Sequence, residues 1–77
     1  MTEEIEDRLI NIMMHSNMTL DLMAAIITLI NHRNPQVAEK AVLHFEEMER
    51  NNEEITPNMI MEYIGDMIWK NKGTKRI

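Results

Sequence analysis

Residues 19–38 read Thr19-Leu20-Asp21-Leu22-Met23-Ala24-Ala25-Ile26-Ile27-Thr28-Leu29-Ile30-Asn31-His32-Arg33-Asn34-Pro35-Gln36-Val37-Ala38. A residue of N-cap type opens an apolar run, and Asn34-Pro35 closes that run and opens the next. The threonine or asparagine side chain accepts from an otherwise unpartnered N–H, and proline at the first helical position gives up an N–H that has no intrahelical acceptor. Wound at about 100° per residue, the apolar side chains from Leu20 to Ile30 cover about two-thirds of the circumference. Asp21, Thr28 and His32 make a narrow polar edge. A helix greasy on so many sides must be buried on several of them, which predicts a central helix packed by the others.

The same start signals recur outward from this stretch, at Thr2 and at Thr56-Pro57, with polar breaks at Ser16-Asn17, Arg33 and Asn51-Asn52. They predict helices over about residues 3–15, 20–32, 35–50 and 57–71, with Gly73 as the residue that ends the last one. The first helix gathers Ile5, Leu9, Ile12 and Met13 on one stripe, and the third Val37, Ala38, Ala41, Val42, Phe45 and Met48. The fourth gathers Ile60, Tyr63, Ile64, Met67 and Ile68. No strand pattern, low-complexity tract or internal repeat interrupts this order. The expected fold is all-α: a small four-helix bundle spanning residues 1–72, followed by a basic tail at 73–77. Connections this short make sequential helices antiparallel or steeply angled neighbours.

With 77 residues the chain has room for one domain, and a domain of this size buries only about 60% of its unfolded surface. Such chains lean on disulfides, a metal or association. There is no cysteine, which removes disulfides and thiolate metal sites and fits a reducing compartment. The longest apolar stretch, Leu22 to Ile30, is far short of the ~20 residues of a membrane span. The acidic start at Glu3, Glu4, Glu6 and Asp7 is unlike a secretory signal. The expectation is a cytoplasmic protein that self-associates, because three short neighbours hardly cover the second helix.

The net charge of −5 repels phosphate backbones and anionic lipid at long range. The exception is the basic end formed by Lys70, Lys72, Lys75 and Arg76, which favours the negative end of a helix dipole. His15, His32 and His44 lack a second ligand at metal-face spacing, and no metal or cofactor is assigned. The carboxylates at 3–7 and 46–54 fall on solvent faces and helix starts, without a pocket to separate their pKa values. The glycines, Gly65 and Gly73, make no phosphate loop, and His15 and Ser16 are adjacent and point apart on a helix. No element of an enzyme site is recognisable, so a non-enzymatic protein is expected. The nine methionines serve mainly the core stripes, while Met-rich surfaces also remould around partners. Apolar residues outside the stripes, Ile10, Met14, Leu43, Met59 and Trp69, are the candidate partner-binding residues, because clustered exposed apolar groups mark interfaces.

The segment from Leu29 through Asn34-Pro35-Gln36-Val37-Ala38 to Ala41 and Phe45 resembles the helical hairpin of α-solenoid domains of the HEAT, armadillo and VHS type. There an Asn-Pro or Asp-Pro caps the second helix, and Val and Ala pack inward. The resemblance covers about a third of the chain and implies a hairpin and a binding role; no second copy follows, so a repeat array is excluded. Glu54-Ile55-Thr56-Pro57-Asn58-Met59-Ile60 before Tyr63-Ile64-Gly65 is similar to the opening of a DNA-binding helix-turn-helix. That family needs a turn after Gly65 and a basic recognition helix, whereas Asp66-Met67-Ile68-Trp69 continues the helical period.

The expected function is therefore protein binding: an interaction module that engages a partner protein, in the manner of the small regulators and inhibitors of phages and mobile elements. The alternative is a nucleic-acid-associated transcriptional regulator using the last helix and the basic tail.

Overall fold

A computed structural model describes residues 2–71. The expected Gly73 terminus and the basic tail at 73–77 lie outside the described residues. The helices are α1 (Glu3–His15), α2 (Leu20–Arg33), α3 (Gln36–Arg50) and α4 (Pro57–Asn71), within a residue or so of the boundaries read from the sequence. The agreement is local chemistry. Thr2 Oγ1 accepts from the Ile5 N–H at 3.2 Å, Thr19 Oγ1 from Leu22 at 3.2 Å and Thr56 Oγ1 from Met59 at 3.2 Å. Each satisfies one of the orphan donors of its first turn. Asn34 Oδ1 accepts from the Gln36 N–H at 3.2 Å while Pro35 already has helical dihedral angles, so Asn34 is the physical cap of α3.

The helix ends use a device that polar composition alone does not reveal. Asn17 (φ 65°) and Asn52 (φ 59°) adopt the left-handed conformation. Around Asn17, the Met18 N–H reaches back to the Met13 carbonyl (3.1 Å) and the Asn17 N–H to Met14 (3.1 Å). Around Asn52, Glu53 bonds Met48 (2.9 Å) and Asn52 bonds Glu49 (3.0 Å). Both are Schellman closures. The first is completed by Met18 and Met13, which are both buried, as the apolar contact of that motif requires. Ser16 is buried at the same corner, its hydroxyl donating to the Ile12 carbonyl at 2.6 Å.

Leu9, Ile12, Met13, Met18, Met23, Ile26, Ile30, Val37, Ala38, Ala41, Val42, Phe45, Ile60, Ile64 and Ile68 form one core. The central element is α3, not α2 as the apolar run suggested. The most extensive packing is α1 on α3, then α4 on α3, and α2 touches the other three more lightly. The reason is side-chain size. Ala38 and Ala41 of α3 are completely buried, and small residues at a crossing let helix axes approach closely. On α2 the two alanines, Ala24 and Ala25, are exposed, as are Leu20 at 76% and Leu29 at 37%. The apolar excess of α2 is therefore an outward-facing surface.

One polar clamp fixes α1 against α3. The Arg8 guanidinium donates from Nε to Glu46 Oε2 (3.0 Å) and from Nη2 to Oε1 (2.6 Å), a two-pronged geometry that sets orientation as well as attraction. Farther along the same pair of helices, His15 Nδ1 lies 3.8 Å from Glu49 Oε2, so α1 and α3 run in the same direction. Among the described residues no buried side-chain nitrogen or oxygen lacks a hydrogen-bond partner, and no helix is long and apolar enough to cross a membrane.

Candidate functional site

The five apolar residues that fall outside the sequence stripes are not gathered at one place. Ile10 and Met59 are partly buried and pack against the core. Met14, Leu43 and Trp69 are more than half exposed, on α1, α3 and α4 respectively. By helical position Leu43 sits among Gln36, Glu39, Lys40, Glu47 and Arg50, a charged and solvated face. Met59 lines a 230 Å³ cleft between α3 and α4 with His44, Phe45, Glu62, Tyr63 and Asp66. His44 lies flat on Tyr63 there, ring centroids 4.3 Å apart, with Phe45 edge-on to both. Trp69 carries the Arg33 guanidinium over its ring at 5.9 Å, which brings the C-terminal ends of α2 and α4 together.

Between α2 and α4 lies a groove of 250 Å³ lined by Leu22, Ala25, Ile26, Leu29, Met61 and Ile64. Every lining side chain is apolar. Ile26 and Ile64 form its floor and belong to the core, while Ala25, Leu29 and Met61 are exposed on its walls. Met61 starts a row spaced one turn apart, Met61, Gly65 and Trp69, that carries no charge. At about 100° per residue the flanks of this face are Asp21 and His32 on α2 and Glu62 on α4, while the neutral Asn58 lies on the Gly65–Trp69 row and Arg33 closes the face at the C-terminal end of α2. Uncharged centre and polar rim is the composition of a protein-binding patch.

A larger recess of 640 Å³, lined by residues that include His15, Glu49, Glu53, Glu54 and Pro57, opens where α1 and α3 end. Its carboxylates are exposed, and covering them would strip them of water at a cost that an apolar groove does not incur. Size alone therefore does not make it the better site. Two carboxylates elsewhere are held below their ordinary range: Glu46 chiefly by the hydrogen bonds from Arg8, and Glu47 chiefly by that from Arg50. Glu46 is half-buried in the clamp between α1 and α3, and Glu47 is an exposed, ion-paired group on α3. Among the described residues no three His, Asp or Glu side chains are arranged to hold a metal ion.

Of the groove residues, Leu22, Ala25 and Leu29 are legible in the sequence only as part of the all-round apolar surface of α2. Met61 and Gly65 are missed by a wheel centred on the α4 stripe; the uncharged i, i+4, i+8 row Met61-Gly65-Trp69 was the signal. Compared with known protein families, with curated proteins and with solved structures, the chain matches none.

Proposed function

We propose that this protein is a non-enzymatic protein-interaction module whose binding face is the apolar surface shared by α2 and α4. The observation that carries it is the groove at Leu22, Ala25, Leu29 and Met61, whose lining side chains are all apolar and which is open to solvent. A folded domain of this size loses stability by keeping such side chains wet, at roughly 25 cal/mol per Å² of apolar surface. A partner recovers that loss. The acidic balance, net −5, disfavours a phosphate backbone as the ligand. The same economy of size and the absence of cysteine fit a cytoplasmic regulator that acts by occupying a partner, of the type phages and mobile elements carry.

The test is site-specific photo-crosslinking in cells that produce the protein. A photoreactive residue replacing Ala25 is expected to join covalently to a protein chain, its own or another. The same group at Lys40, on the outer face of α3, is expected to give no adduct. Equal labelling at the two positions, or an adduct with nucleic acid at residue 25, refutes the reading.

A further inference from the structure

We draw no further inference here: the strongest candidate, the apolar groove between α2 and α4 walled by Ala25, Leu29 and Met61, belongs to the site already described, and nothing in the structure shows what covers it.

Discussion

At the scale of single residues, two kinds of side chain fix this structure, and each has a separate test. Asn17 and Asn52 hold positive φ at 65° and 59°, a conformation that costs a Cβ-bearing residue roughly 1–2 kcal/mol unless it is asparagine or glycine. Asn52→Ala is expected to destabilise by about 1 kcal/mol, lowering the thermal midpoint by about 4–8 °C, while Asn52→Gly leaves it unchanged or raises it; thermal melts of the two variants check this. The second is Glu46. The Arg8 hydrogen bonds hold its carboxyl below the ordinary value of 4.5, against the opposing effect of burial. A depressed folded pKa means a stabilising contribution fully present above the unfolded value and lost as pH falls through the folded one. Glu46→Gln therefore lowers the urea midpoint at pH 7, and the gap from wild type closes as the pH falls through and below the ordinary carboxylate range. A gap that persists in acid would mean that Glu46 acts by packing and not by charge.

At the scale of elements, the partition of alanines decides which helix is central. Ala41 is completely buried where α3 is crossed by its neighbours, whereas Ala24 of α2 is exposed. Ala41→Leu is expected to cost about 1–3 kcal/mol through overpacking, and Ala24→Leu to be nearly neutral; paired urea titrations read both. Helix positions were legible in the sequence because caps act locally: Thr2, Thr19, Asn34 and Thr56 bond N–H groups two or three residues away, so composition and order carry the whole signal. The rank of the helices was not legible, because burial depends on which surfaces fit each other. The run from Leu20 to Ile30 is the most apolar on its own terms, yet the smooth stripe of α3, with Ala38 and Ala41 between Val37, Val42 and Phe45, accepts two neighbours at close range. The candidate face escaped for the same reason. Leu29 and Met61 lie at the edges of their own stripes, and only the pairing of α2 with α4 turns two edges into one groove.

At the scale of the whole molecule, the question is how a chain with a core of this size and no covalent staple stays folded. Its dimensions are 36 × 24 × 20 Å, and a domain of this length is expected to have only about 4–12 kcal/mol of stability at roughly 0.05–0.15 kcal/mol per residue. Association adds to that by mass action, because a partner that binds only the folded state draws the equilibrium toward it. If the partner at the α2–α4 face is another copy of this chain, stability depends on protein concentration. Above the dissociation constant, each tenfold rise adds about 1.4 kcal/mol per dimer, or about 0.7 kcal/mol per protomer, which raises the melting midpoint by about 3–5 °C. Melts of the wild type at about 5, 50 and 500 μM should climb by steps of that size. Ala25→Glu should climb by smaller steps over the same range, since the substitution touches an exposed position and weakens the association. A midpoint that stays fixed for the wild type across this range would show that the protomer alone carries its stability, and that the exposed α2–α4 surface is tolerated without a second copy.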